Sequence, residues 1–192
     1  MNRPRHAPPP RHIDVRVDCA DWRRHLPRAV LLCRRAARAA LAAGGAPPRP
    51  LELALVLSDD DDLRVLNRQW RGQDKSTNVL AFANGPTAPG NGPTPMLLGD
   101  VVLAFGTIRR EAKAGAKSLA DHVAHLVVHG VLHLLGHDHV KSTSAAAMER
   151  LETEILRGLG VPNPYAPVRT HSGRRAPPST RASRAAQDEG AA

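Results

Sequence analysis

The chain has 192 residues, 42% of them hydrophobic, with 27 Lys and Arg against 18 Asp and Glu and a net charge of +9. That length suits one domain with modest tails, no apolar run is long enough to span a bilayer, and two cysteines exclude a disulfide framework and point to a reduced, cytoplasmic protein. The charge is segregated, with a net +7 in residues 1–38, −1 in 39–162 and +3 in 163–192, so a polyanion would be attracted first to the ends of the chain, unless the arginines there only solvate the surface.

Residues 1–12 are rich in Pro and Arg, lack the apolar stretch of a secretory signal, and read as a disordered basic tail. Ile13 to Asp18 alternates apolar and polar, as a strand does. Pro27 to Ala43 has helical spacing, a proline near its start and Gly44-Gly45 after its end. Cys33 within it is expected to be a small buried hydrophobe. Leu51 to Leu57 is a strand. Ser58 is then placed to cap a helix reaching Trp70, whose first turn holds Asp59 to Asp62, where negative charge favours the helix dipole. Asn78 to Ala83 and Leu97 to Ala104 are strands separated by a Gly/Pro-rich loop, and Gly106 to Lys113 is a short helix. Ser118 and Asp121 have the spacing of a capping box opening a helix to Leu135. Ser142 to Leu159 is a last amphipathic helix, and 166–192 reads as a disordered tail. The sum is one α+β domain over 13–165, a small mixed sheet of about four strands with about five helices packed on it.

The chemistry concentrates at the end of the longest helix. His129 and His133 are four apart and share a helix face, their Cα atoms separated by about 6 Å along the axis. Gly136 follows three residues later, where a positive φ would end the helix and turn the chain so that His139 supplies a third ligand. This is the His, His, Gly, His spacing of the metzincin peptidases. Three histidines with an open fourth position suit one catalytic zinc per chain, whereas structural zinc is usually closed by four ligands. His137 could replace His139 or lie behind it; His122 and His125 extend the same face. The glutamate that follows the first histidine in those peptidases, their general base, is Gly130 here. A peptidase lacking that carboxylate has lost its proton acceptor.

The sequence resembles the YbeY-type endoribonucleases, also called rRNA maturation factors. The resemblance rests on His125-Leu-Val-Val-His129-Gly-Val-Leu-His133-Leu-Leu-Gly136-His137-Asp138-His139, on Asn67-Arg-Gln-Trp70-Arg71-Gly-Gln-Asp-Lys-Ser-Thr77-Asn78-Val-Leu80-Ala-Phe82, on Leu98-Gly-Asp100 and on Met148 to Gly160 before Pro164-Tyr165. It covers about residues 50–165 strongly. It implies a metal-dependent, single-strand-specific RNase of the bacterial cytoplasm, working on the 3′ end of 16S rRNA and in ribosome quality control. Its partners would be rRNA precursor, the small ribosomal subunit and ribosomal or assembly proteins, with no membrane. By the resemblance His129, His133 and His139 bind zinc and Arg71 is functionally important. The chain departs from the family pattern at Asn78, Ala81, Ala83 and His137, where Asp, Ser, Pro and Tyr are usual, and the first change removes a charge expected near Arg71.

Zinc on three imidazoles brings its water to a pKa near 7, for direct attack on a phosphodiester or for deprotonating the 2′-OH. Arg71 is expected to clamp phosphoryl oxygens in the transition state, and Asp138 to orient an imidazole or accept a proton. Lys75 and Thr77 could assist phosphate contact. Two other readings share the motif: a non-catalytic, zinc-stabilised ribosome assembly factor, and a metallopeptidase.

Overall fold

A computed structural model describes residues 9–85, 94–137 and 142–166. Strand β1 (Arg11–Val17) is followed by helices α1 (Ala20–His25) and α2 (Ala29–Ala43), strand β2 (Leu51–Ser58), helix α3 (Asp60–Arg71), and strands β3 (Val79–Ala83) and β4 (Met96–Ala104). Helices α4 (Phe105–Ala114), α5 (Leu119–Leu134) and α6 (Ser142–Gly158) complete it. The sheet order is β1-β2-β4-β3, with β1, β2 and β4 parallel and β3 antiparallel on the edge beside β4. This is the expected small mixed α+β sheet, with six helices among the described residues where about five were expected.

Strict alternation in β2 sends Leu51, Leu53, Leu55 and Leu57 to one face, where they are buried with Val101 and Leu103 of β4 under α2 and α5. Val56, Val102 and Leu80 face the other way and pack with Leu63 and Leu66 of α3. The sheet therefore has two differently covered faces. One register shift at Glu52/Leu53 leaves Leu98 of β4 without a counterpart on β2, and Gly99 beside it takes φ 141°.

Helix α2 buries Cys33, Ala36, Ala37, Ala40 and Leu41. Its small side chains let it lie close to α5. Burial pushes the Cys33 thiol up to about 12, consistent with an inert apolar role. Helix α5 is buried on nearly every side by Val123, Val127, Val128, Val131, Leu132 and Leu134. Its Ser118 cap accepts from the Asp121 amide at 3.0 Å, and Gly136 takes φ 88° just after the helix ends.

Three local expectations are corrected. The chain joins the sheet at Arg11, two residues earlier than the predicted domain boundary. Helix α1 has no apolar periodicity to announce it; it is held by Trp22, whose indole donates to the Ser58 carbonyl at 2.8 Å and packs edge-on against Phe105. The cap of α3 is Asp59, which accepts from the Asp61 and Asp62 amides, while Ser58 closes β2 and donates to Asp62. The acidic run is thus structural: Asp60 accepts from the Thr107 amide at 2.7 Å and from Arg110 at 2.8 Å, tying α3 to the first turn of α4.

Candidate metal centre

On a helix buried on its other sides, His122, His125, His129 and His133 form one continuous polar stripe at helical spacing. Successive ring centroids lie 6.3, 6.2 and 4.5 Å apart. At the C-terminal end the Nε2 atoms of His129 and His133 approach to 3.1 Å. Two ring nitrogens that face each other at this distance need a proton or a cation between them. Neutral imidazole nitrogens are ligands that zinc accepts, and this pair would supply two of them. The donor set fits zinc. Asp138 and His139 lie outside the described residues, so the third expected ligand and the expected acid or base stay outside this geometry. Among the described residues, no group of three His, Cys, Asp or Glu has metal-holding geometry.

The orientation of His129 is set from α6. The His129 Nδ1 lies 2.8 Å from Oε1 of Glu152, a carboxylate that is only 1% exposed. Its other oxygen meets His125 Nε2 at 3.0 Å and the Tyr165 hydroxyl. Burial alone would raise the pKa of Glu152, but the hydrogen bonds from His125, His129 and Tyr165 win and hold it down at about 2. An ionised carboxylate only accepts, so all three partners donate. His129 is thereby fixed with its proton on Nδ1 and its lone pair on Nε2, toward His133. A carboxylate behind a histidine is the usual means of presenting it to a metal. Tyr165 keeps its phenol proton, since burial and the adjacent carboxylate both raise its pKa.

The next pair along the stripe is similar. Glu111 of α4 accepts from His122 Nε2 at 2.8 Å and from the Asn78 amide at 3.0 Å. Burial lowers the His122 pKa against the opposing pull of Glu111. Asn78 therefore meets Glu111 and not Arg71. An Asp there would set two carboxylates against each other, whereas the amide donates. His125, His129, Glu152 and Tyr165 line a cavity of about 330 Å³ that also reaches Asn78 and Val79 at the start of β3.

The remaining predicted residues are placed as follows. His137 bonds through Nε2 to the Gly44 carbonyl at 3.0 Å and so staples the turn after α5 to the end of α2. A Cβ on Gly130 would come 2.7 Å from Val101 Cγ1, so this position packs α5 on β4. Gly72 takes φ 68° as the left-handed stop of α3. Arg71, just before it, lines a larger groove of about 740 Å³ with Trp70, Asp14 and Asp100; neither it nor Lys75 or Thr77 lines the histidine cavity.

Glu152 was not singled out by sequence reasoning, although a signal was present. Met148, Glu152, Ile155 and Leu156 are all buried on one face of α6, and a lone carboxylate on an apolar stripe has to be paired.

Residues 19–160 match the family model described as Endoribonuclease YbeY. An Endoribonuclease YbeY of Paramagnetospirillum magneticum is 49% identical over 158 residues, covering 80% of this chain and 94% of the relative. That of Allorhizobium ampelinum is 51% identical over 128 residues, covering 66% and 76%. A solution structure from Thermotoga maritima aligns with a TM-score of 0.48 at 17% identity, over 77% of this chain and 91% of that one. The family match spans most of the described domain, including α5 with its histidine stripe and the Glu152 that orients it, and on that ground the chain belongs to the YbeY endoribonuclease family.

Proposed function

We propose that the chain is a zinc-dependent, single-strand-specific endoribonuclease that acts in the cytoplasm on rRNA precursor, in maturation of the 16S 3′ end and in ribosome quality control. The observation that carries the metal dependence is the His129–His133 pair, with Nε2 atoms 3.1 Å apart and His129 oriented by buried Glu152. The family supports cleavage of RNA. His129 and His133, with His139, would hold the ion. Zinc bound there supplies Lewis acidity and an activated water near neutral pH.

The chain's own residues divide the remaining work. Glu152 keeps the His129 proton on Nδ1, and Tyr165 and His125 keep Glu152 ionised. Asp138, next to His139 in the chain, is assigned to orient an imidazole or take up a proton. Arg71 lies in the separate groove on the side of the sheet that carries Trp70 and Phe82. That placement favours a guanidinium that grips the phosphate backbone of bound RNA over one that touches the reacting atoms.

The test is cleavage of single-stranded RNA by the purified chain, with and without chelator, beside digestion of casein. The expected result is chelator-sensitive RNA cleavage, about one zinc per chain, and loss of both in a His129→Ala, His133→Ala variant. Full zinc retention by that variant sinks the ligand assignment. Zinc without cleavage selects the assembly-factor reading, and casein digestion the peptidase.

A further inference from the structure

A groove of about 740 Å³ lies away from the histidines, on the α3 side of the sheet, and register defines its floor. Asp14 of β1 pairs with Ala54 of β2, Ala54 with Asp100 of β4, and Asp100 with Phe82 of β3. Residues in register across a sheet share a face, so the row reads carboxylate, methyl, carboxylate, aromatic ring. The two carboxylates stand two strand spacings apart, roughly 10 Å, over the small Ala54. The wall is the C-terminal turn of α3. Trp70 is 70% exposed and leans on Phe82 with ring centroids 5.6 Å apart. Arg71 beside it makes no hydrogen bond or ion pair among the described residues.

A solvent-facing indole costs free energy unless something covers it. An aromatic platform next to an unengaged guanidinium is how single-stranded nucleic acid is held: a base stacks, and its phosphate meets the cation. Asp14 and Asp100 would repel phosphate but only accept hydrogen bonds, so they select the part of a nucleotide that donates. Guanine is the one common base with two adjacent N–H donors on its pairing edge, and these match both oxygens of a carboxylate. Adenine, cytosine and uracil each set a single donating group beside an acceptor that a carboxylate repels.

We propose that this groove binds an unpaired guanine of single-stranded RNA, with Trp70 stacking on the base, Asp100 reading its pairing edge and Arg71 holding the adjacent phosphate. The proposal rests on the endoribonuclease reading and adds a docking site for the strand on the other side of the sheet from the histidines. Asp100 is chosen over Asp14 because it neighbours Phe82, on which Trp70 leans.

The probe is a fluorescein-labelled heptaribonucleotide of uridines with one central guanine, compared with the same strand carrying adenine. Binding to the wild-type, metal-loaded protein is followed by anisotropy, and by tryptophan quenching with unlabelled strand in the first second after mixing. The chain has two tryptophans, and Trp22 is fully buried, so quenching reports Trp70. The guanine strand is expected to quench saturably and to bind about 10-fold more tightly than the adenine strand. Trp70→Ala should weaken binding by about 10-fold or more, the scale of one stacked base. Trp70→Phe should restore most of it, and Asp100→Asn should erase the guanine preference. Binding and cleavage by wild type with no quenching, and unchanged affinity in Trp70→Ala, overturns the groove while leaving the endoribonuclease reading intact; the surface then belongs to another class of partner, such as a protein. Quenching with no base preference overturns the role of Asp100. A wild-type chain that neither binds nor cleaves the strand overturns both readings.

Discussion

Replacing Glu152 separates a metal-presenting carboxylate from a merely buried one. In Glu152→Ala three donors lose their acceptor: His129 Nδ1–H, His125 Nε2–H and the Tyr165 hydroxyl. A buried donor left without a partner costs about 1–3 kcal/mol. Tyr165 is 43% exposed and finds water, so the two imidazoles carry most of the loss. Together with the vacated volume, the alanine variant should lose roughly 3–5 kcal/mol of stability, the scale for breaking one side of a buried charged network. Glu152→Gln is the sharper probe because it keeps the shape. Its carboxamide has one acceptor oxygen where the carboxylate has two, and its amide nitrogen points a donor at another donor. His129 then no longer has a fixed tautomer. Zinc affinity should fall by about 10- to 100-fold, as is usual when the partner of a metal-ligating histidine is lost. Competition against a chromophoric chelator measures that affinity, and thermal unfolding in excess chelator measures stability apart from metal. Nitrogen-15 spectra of the imidazoles read the tautomer directly. A glutamine variant that binds zinc within twofold of wild type, with His129 still protonated on Nδ1, would refute the reasoning.

Arg71→Ala should keep zinc content and thermal stability, because Arg71 is exposed and remote in sequence from the histidines, and should weaken RNA binding by about 10-fold with little change in single-turnover rate at saturating enzyme; a 100-fold fall in that rate would instead put Arg71 at the reacting phosphate. Asp60 is pushed up by burial but held below the usual carboxylate range by the Thr107 amide and Arg110, so its contribution is present above the unfolded carboxylate value and is lost as pH falls through its lower folded value; denaturant unfolding of Asp60→Asn should show about 1 kcal/mol less stability at pH 7 and a flatter acid limb, and an unchanged limb would contradict this. A chain ending at Tyr165 should fold and bind RNA with a shallower salt dependence, since residues 166–192 carry a net +3; an unchanged slope in anisotropy titrations would mean that the tail does not touch RNA.

Those features whose cause is local were legible in the sequence. The alternation in β2, the Ser118 cap and the positive φ at Gly136 each follow from a residue and its near neighbours. So did the convergence of His129 and His133, since four residues on a helix fix their relation. Features made by distant segments were not. Helix α1 exists because Trp22 finds the Ser58 carbonyl 36 residues away, and nothing within its six residues states that. The family pattern suggested a partner for Arg71 at position 78, but Asn78, between α3 and β3, donates to Glu111 instead. The same topology places Arg71 and the histidines in different cavities, a separation invisible to any motif.

The absence of a glutamate after the first histidine follows from packing. Each step along a helix turns about 100°, so when His129 faces α6 and Glu152, position 130 must face a neighbouring element. In this fold that element is β4. Val101 leaves no room for a Cβ: its Cγ1 would sit 2.7 Å away, and its short branched side chain cannot swing aside as a long flexible one would. A side chain at 130 would therefore force Val101 or α5 to shift. The glutamate of the peptidase motif would meet the same obstruction at this position, whatever the substrate. A proton acceptor for hydrolysis has to come from another element. The stripe already shows how α5 recruits such groups: Glu111 reaches it from α4 and Glu152 from α6, each holding histidine nitrogens of α5. Both of those carboxylates are committed to hydrogen bonds that orient side chains. The proposed mechanism assigns the acceptor to Asp138, which adjoins His139 in sequence.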